Sequence, residues 1–516
     1  MFLVDFLLCL GYTLYYVVKV RFIYTIFFKR GSAMHWAYFV VIFVNTLFVL
    51  GMVFIERKKP STVISWSIIM LLMPIIGLIL YALIGGSLSF KTRRMLRRKA
   101  VRSKELKDLV NQQKAQIQSE EVSVSGVEAK YKQLIMHNLN TCDSILTHNN
   151  KLMLFTSGKD KIDSLLKDID SAKKSINICY YIFATDNIGM IVLKKLIEKA
   201  NQGVEVNLLV DAVGSLKSDR REFRKLVHGG GRYAEFFPPL FGMRLFNIRI
   251  NYRNHRKIVV IDNKIGYVGG INIRDDHMGG VKRLSPWTDL HLRVEGDSVI
   301  DLQKTFLKDW RFSYKKKDFD ETYINRFFEK GKNESGVAMQ VVTSGPDDDG
   351  AQIEMNLINM ITKAKKYILI QSPYFVPDES FMTALRIAIS SGVKVSIMLS
   401  KLPDKKVVYY CSLSYLKELV DYGAVVYMRE GFIHSKVVVV DGEVASMGTC
   451  NTDVRSFSLN FEVNVVIYDK PTSMQLVHIF ENDALHSIVV GKAWFKNLSP
   501  FVKMAKSVCR LFSAIL

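Results

Sequence analysis

One segment occurs twice in this chain. HRKIVVIDNKIGYVGGIN begins at His255, and HSKVVVVDGEVASMGTCN begins at His434. In both copies His precedes Lys by two positions, Lys precedes Asp by five, Asp precedes Gly by seven, and that Gly precedes Asn by three. The matched sets are His255, Lys257, Asp262, Gly269 and Asn272, and His434, Lys436, Asp441, Gly448 and Asn451. A chain built this way folds as two similar halves. The surroundings repeat as well. FTSG around Phe155 matches VTSG around Val342, and the helix-like stretches that follow end Ala172-Lys173-Lys174 and Ala364-Lys365-Lys366. Apolar runs at 175–183 and 367–375, another helical pattern, and apolar runs at 203–211 and 392–400 complete each unit. Such strand–helix–strand units predict an α/β fold with parallel strands covered by helices. Gly203 and Gly392 stand where a helix C-cap is needed. The halves are placed at 151–330 and 331–490, with a joint near 328–336.

Strand alternation puts His255 and Lys257 on one face, and likewise His434 and Lys436. The apolar run after each Lys enters the core, and the following glycines allow close backbone approach. A lone histidine beside a strand is more often structural than catalytic; two with matched tails are not coincidence. Asp262 and Asp441 have a second reading, fixing the turns that end their strands. An anionic phosphodiester repels nucleophiles, so attack on it needs cations and a strong nucleophile. Two lysines, two histidines and two amides are the side chains for that chemistry.

The doubled His-x-Lys pattern with its downstream Asp and Asn resembles the signature of the phospholipase D superfamily. The resemblance implies two pseudo-symmetric phospholipase-D-like halves with mixed β-sheets flanked by helices. It implies His255 as the nucleophile that forms a phosphohistidine and His434 as general acid and base. Lys257, Lys436, Asn272 and Asn451 would neutralise the phosphate, Asp262 and Asp441 would complete the motif, and neither a metal nor another cofactor is needed. Gly270 and Thr449 occupy positions where the superfamily often carries serine, so a hydroxyl contact to phosphate is missing or altered in the first half. Asp289, in PWTDLHLRVEG, and Glu462, in LNFEVN, are the carboxylates expected to orient the imidazoles.

Longer stretches are similar to the bacterial cardiolipin synthases: NYRNHRKIVVID, SPYFVPDESF, GFIHSKVVVVD, GTCNTDVRSFSLNFEVN and ERKKP. This likeness runs from about Trp36 to the C-terminus and is weakest in 91–150. It implies condensation of two phosphatidylglycerols into cardiolipin and glycerol. A phospholipase D hydrolase, another phosphatidyltransferase of the superfamily and, further off, a nuclease remain as alternatives; the acceptor, the acyl-chain preference and the oligomeric state stay open.

The net charge of +22 suits nucleic acid or an anionic membrane face. The membrane is favoured by two uncharged runs, 36–55 and 63–85, each about the length of a bilayer-crossing helix. They are read as a transmembrane hairpin within 36–90, joined by Glu56-Arg57-Lys58-Lys59-Pro60. Eight Lys or Arg between Lys91 and Lys104 place the rest of the chain in the cytoplasm and the turn outside. The expected partners are therefore phosphatidylglycerol and anionic membrane lipids, with the chain membrane-embedded and no nucleic acid bound. Residues 1–35 form a further hydrophobic segment whose crossing is undecided, and 91–150 reads as a basic helical linker. Residues 491–516 hold an amphipathic helix, suited equally to a membrane surface or to docking on the core. Six scattered cysteines suggest neither a disulfide framework nor zinc. Asp347-Asp348-Asp349 reads as a solvated helix start.

Overall fold

The computed structural model describes residues 32–54, 60–81, 85, 92, 95–96, 104–119, 126–238, 251–279, 284–314, 336–348 and 350–513. The expectations for residues 1–28 and for nearly all of the basic run 91–104 lie outside these. The chain divides after Tyr81 into two compact units.

In the first unit a helix covers Ser32–Phe54, and the second apolar run splits into helices Pro60–Leu72 and Pro74–Leu80. This departs from the single span expected at 63–85. Pro74 lacks an N–H, which leaves the Met70 carbonyl without its intrahelical donor. The Asn45 amide donates to the carbonyls of Met70 and Pro74, at 3.4 and 3.1 Å. The chain then reverses: the rings of Trp66 and Tyr81 lie 5.1 Å apart, and a Cβ on Gly77 would meet Met70 Cα at 2.9 Å. Among the described residues no helix is long and apolar enough to cross a membrane.

The second unit is organised by one sheet. Its strands in the first half are β1 Thr147–Phe155, β2 Ser175–Tyr180, β3 Glu205–Asp211, β4 Arg232–Phe236, β5 Lys257–Ile261, β6 Ile265–Gly269, the short β7 Trp287–Thr288, and β8 His291–Gly296. The second half supplies β9 Val337–Ser344, β10 Tyr367–Gln371, β11 Phe375–Val376, β12 Lys394–Ser400, β13 Val425–Arg429, β14 Phe432–Ile433, β15 Val437–Val440, β16 Val444–Gly448, β17 Thr452–Asp453, β18 Glu462–Ile467 and β19 Ser487–Val490. Fifteen of these form a single sheet in the order β19-β13-β12-β10-β15-β16-β18-β9-β1-β8-β6-β5-β2-β3-β4. Reading outward from the β9–β1 pair, the two halves repeat each other strand for strand, with β19 added at one edge. The sheet is mixed: β2, β3 and β4 run parallel, as do β10, β12 and β13, while β5 and β15 join antiparallel. The motif strands KIVVI and VVVV are buried throughout, the mark of strands covered on both faces.

Gly203 and Gly392 both take φ +87° just past helices Asn187–Asn201 and Glu379–Ser390, the left-handed step that ends a helix and turns into the next strand. One core cluster draws on both halves, with Ile258, Val260 and Leu292 joined to Met339, Val439 and Val463. The stretch expected as a linker is more than a tether. Its helices Lys104–Gln118 and Lys132–Cys142 place Val110, Ile117, Leu134, Ile135 and Leu139 in the core of the second half. Asp347 also departs from expectation: it is buried and paired with Lys308 at 2.8 Å, well before the helix that starts at Gln352. Asp349 lies outside the described residues.

Candidate active site

Each motif histidine sits just ahead of a central strand and is stitched by main chain to the opposite half. His255 N–H donates to Phe461 O at 3.0 Å, and Phe461 N–H donates to Arg253 O at 2.8 Å. In the mirrored place, His434 N–H donates to Thr288 O at 2.7 Å, beside the parallel pairing of β14 with β7. This lacing brings both imidazoles to the seam, where the charges of His255, Lys257 and Lys436 all act on His434.

The orienting carboxylates are exchanged between halves. His255 Nδ1–H donates to Glu462 at 2.9 and 3.0 Å, and His434 Nδ1–H donates to Asp289 at 2.6 Å. Each bond fixes the tautomer and leaves Nε2 free to face a substrate. Glu462 also accepts from Thr449 Oγ1 at 2.5 Å and from Asn460 Nδ2 at 3.1 Å. The Thr449 hydroxyl therefore serves the carboxylate rather than a phosphate. Gly270, its counterpart, makes room instead. A Cβ there would lie 2.0 Å from Asp289 Oδ1, so only glycine admits that carboxylate.

Lys257 Nζ donates to His255 O at 2.7 Å, and Lys436 Nζ donates to His434 O. Each ammonium is thus held beside its own histidine. Asn272 Oδ1 accepts from Ile182 N–H at 3.2 Å, which fixes the amide and turns Nδ2 toward His277 Nε2, also 3.2 Å away. Asn451 Oδ1 is buried without a hydrogen-bond partner among the described residues. Asp262 and Asp441 stand at the far ends of β5 and β15. Asp262 accepts N–H bonds from Lys173, Lys174 and Ser175 at 2.7–2.8 Å; Asp441 accepts from Lys365, Lys366 and Tyr367 at 2.8–3.0 Å. Both have positive φ, +51° and +55°. Five residue steps along the strand, about 16 Å, separate each from its lysine. They build the turns that anchor the motif strands, the second reading open for them from sequence.

Electrostatics follow from burial. Desolvation pushes the His255 imidazole down to about 4 against the pull of Glu462, and burial with the lysine charges holds His434 well below the ordinary histidine range. Burial likewise lowers Lys257 to about 7 and Lys436 to about 8, and raises Asp289 to about 6 against the opposing charge of Lys436. Both imidazoles therefore present lone pairs, and an anion between the lysines is needed to draw a proton onto either.

One site residue had no strong sequence signal. His277, on the short turn Asp275–Met278, is buried with its ring 5.2 Å from that of His434 and 4.5 Å from Trp287. His277 Nδ1 accepts from the Asn272 main-chain N–H at 3.4 Å, the Asn272 side-chain amide lies 3.2 Å from Nε2, and the Asp289 carboxylate stands 3.7 Å from Nδ1. His277, Asp289 and His434 have ligand-type atoms within 4.8 Å of one another. A divalent cation there would displace the His434–Asp289 bond and would meet the charges of Lys257 and Lys436, which also act on His277.

Two histidine–carboxylate pairs, flanked by lysines and supplied crosswise by duplicated halves, define a phospholipase-D-type centre. The family profile described as "Cardiolipin synthase, PLD-like domain" matches residues 165–310 and 357–484. A cardiolipin synthase of Oceanobacillus iheyensis is 38% identical over 474 residues, covering 92% of this chain and 97% of that protein. One from Listeria monocytogenes is 39% identical over 481 residues, covering 92% and 98%, and one from Staphylococcus aureus is 38% identical over 474 residues, covering 92% and 95%. Among solved structures, a phosphatidylserine synthase of Haemophilus influenzae shares the fold with TM-score 0.57 and 15% identity, covering 74% of this chain and all of that one. The chain belongs to the bacterial cardiolipin synthase family of the phospholipase D superfamily.

Proposed function

We propose that the chain makes cardiolipin by transferring a phosphatidyl group through His255 to the headgroup of a second phosphatidylglycerol. The observation that carries this is the crossed pairing of His255 with Glu462 and of His434 with Asp289 around one pair of lysines. Phosphatidylglycerol brings its phosphate between Lys257 and Lys436, opposing the field that keeps His434 neutral. His255 Nε2 attacks phosphorus, and the ester bond to the headgroup glycerol breaks. His434, protonated from its Nε2 side, gives its proton to the leaving alkoxide. Glu462 stabilises the positive imidazole of the phosphohistidine through Nδ1–H. A glycerol hydroxyl of a second phosphatidylglycerol then loses its proton to His434 and attacks the same phosphorus, releasing His255 and cardiolipin. Two phosphatidylglycerols go in; cardiolipin and glycerol come out. The assignment of His255 as nucleophile is supported by its carboxylate, which two further side chains hold in place, and of His434 as acid and base by the wetter position of its ring.

The same reading holds the enzyme at the cell membrane through its N-terminal helices, with the catalytic unit on the cytoplasmic face. It rests on the apolar surface of the N-terminal helices, where Trp36, Phe43, Leu72 and Ile75 are exposed, and on the basic run that follows. The test is to incubate the purified chain with labelled phosphatidylglycerol and identify products by mass spectrometry. Cardiolipin with an equal amount of glycerol is expected, and neither product from His255→Ala. Phosphatidate as the only lipid product would make the enzyme a hydrolase.

A further inference from the structure

The C-terminal helix Pro500–Leu511 leaves an apolar stripe uncovered. It packs on helix Lys406–Tyr422, with Val502 and Cys509 against the core and two of its three basic side chains, Lys506 and Arg510, turned toward that contact while Lys503 is exposed. Arg510 bonds Glu418 at 2.6 Å and lies over the Tyr415 ring at 4.6 Å, while Lys506 is buried beside the Phe495 ring. The apolar stripe faces away. Phe501, Met504, Val508 and Leu511 are 65%, 60%, 47% and 66% exposed, at the spacing that lines up one helix face. Docking on the core uses Val502 and Cys509 and leaves this second apolar face without a partner among the described residues.

The stripe runs toward a basic residue whose charge reaches the catalytic His434. Arg510 lies near Tyr415 and Lys506 near Asp421, so the two helices run antiparallel. The Leu511 end therefore points toward the start of Lys406–Tyr422. There the exposed Leu402 and Val407 flank the exposed Lys405 and Lys406. Lys405 lies 5.1 Å over the ring of Tyr374, and its charge acts on His434. Apolar side chains outward, with basic ones among them, match a bilayer carrying anionic headgroups.

We propose that the outward face of the C-terminal helix, continued by Leu402 and Val407, seats this unit on an anionic lipid bilayer and sets the Lys405 side of the site against the leaflet that supplies its substrate. This rests on the phospholipid-transfer reading above. The membrane is favoured over a second protein copy because exposed Lys405 and Lys406 stand among the apolar side chains at the end of the stripe, matching anionic headgroups.

The test uses the full chain with Phe501→Ser, Met504→Ser, Val508→Ser and Leu511→Ser combined. Cardiolipin formation is measured on phosphatidylglycerol in detergent micelles and in bilayer vesicles. The micelle rate is expected to stay near that of the parent, while the vesicle rate falls roughly tenfold or more. An unchanged vesicle rate would overturn the proposal. Equal losses in both would report damage to the fold, and Met504→Trp, which leaves the stripe apolar, then decides. Its added emission is expected to be quenched by brominated phosphatidylglycerol in vesicles. Emission shielded by protein concentration and untouched by brominated lipid would instead assign the face to a second copy. Quenching does not depend on turnover, so a parent chain that made no cardiolipin in micelles would count against the functional reading alone.

Discussion

At the scale of single residues, the site works by shifting ordinary groups out of their ordinary ranges. His255 is held near 4 by burial, so it keeps its lone pair well below the usual histidine range. Lys257 and Lys436, lowered by burial to about 7 and about 8, give up their charge well before an exposed lysine would. The signs give a bell for kcat/KM, which reports the free enzyme. Activity falls on the acid side as pH drops toward about 4, and on the alkaline side as pH rises through about 7 to 8. A pH series with phosphatidylglycerol in micelles checks this; an acid limb centred near the ordinary histidine value of about 6.5 would contradict a desolvated nucleophile. His277 supports a second expectation. It braces Asn272 through both the side-chain amide and the main-chain N–H, with its ring against that of His434, so His277→Ala removes the acceptors that hold Asn272 in place. A hydrogen bond between neutral groups is worth about 0.5–1.5 kcal/mol, which translates into a fall in kcat of roughly two- to tenfold. His277→Gln, which can keep both contacts, should recover part of the loss and shift the pH profile back; equal profiles for Ala and Gln variants would reduce His277 to packing.

At the scale of elements, the sheet places the motif and a buried ion pair fixes the seam. Arg256, between the nucleophile and its lysine, pairs with Asp309 at 2.7 and 2.8 Å with both side chains fully buried. It also donates to Glu462 O and Ser344 O in the other half, and Asn254 Nδ2 donates to Asp309 at 2.8 Å. Asp309→Ala leaves a buried guanidinium without its counter-charge, at a cost of about 3–5 kcal/mol. The expected result is a lower unfolding midpoint of the detergent-solubilised chain, with the His255–Glu462 register loosened as well; an unchanged midpoint would show that the seam holds without the pair. This level was partly legible in the sequence. The duplicated spacing and the apolar runs gave the strand–helix–strand units, because burial on both faces of a strand writes itself as VVVV or KIVVI. It could not reveal that β1 and β9 pair into one continuous sheet, since residues so far apart in the chain leave no local pattern. The exchange of Asp289 and Glu462 between halves was hidden for the same reason. A lone histidine in IRDDHMGG carried no spacing that set His277 apart from a structural residue, and the core role of Leu134 and Leu139 was masked by the charged stretch around them.

At the scale of the whole molecule, the catalytic unit is a fused pseudo-dimer. One chain supplies both members of a site that needs two imidazoles with different roles, and fusion lets the two copies diverge. They have done so: Gly270 makes room for Asp289, whereas Thr449 hydrogen-bonds Glu462, and His277 has Ser456 at the matching distance from the second motif's asparagine. Length and apolarity made 63–85 look like a straight span, but hydropathy is blind to a reversal, and Pro74 supplies one, with the Asn45 amide meeting the carbonyl it frees. In a straight helix Trp66 and Tyr81 would stand about 22 Å apart at 1.5 Å per residue; their rings instead lie 5.1 Å apart. Trp66→Cys with Tyr81→Cys, in a chain whose native cysteines are replaced by serine, is expected to be joined by a short bifunctional thiol reagent in native membranes. Mass mapping of the linked peptides would identify the product. Failure to crosslink, with each thiol separately reactive, would restore the continuous span and place the two residues near opposite faces of the bilayer. A positive result would make this segment re-entrant, with both ends of the second apolar run on the same side of the membrane.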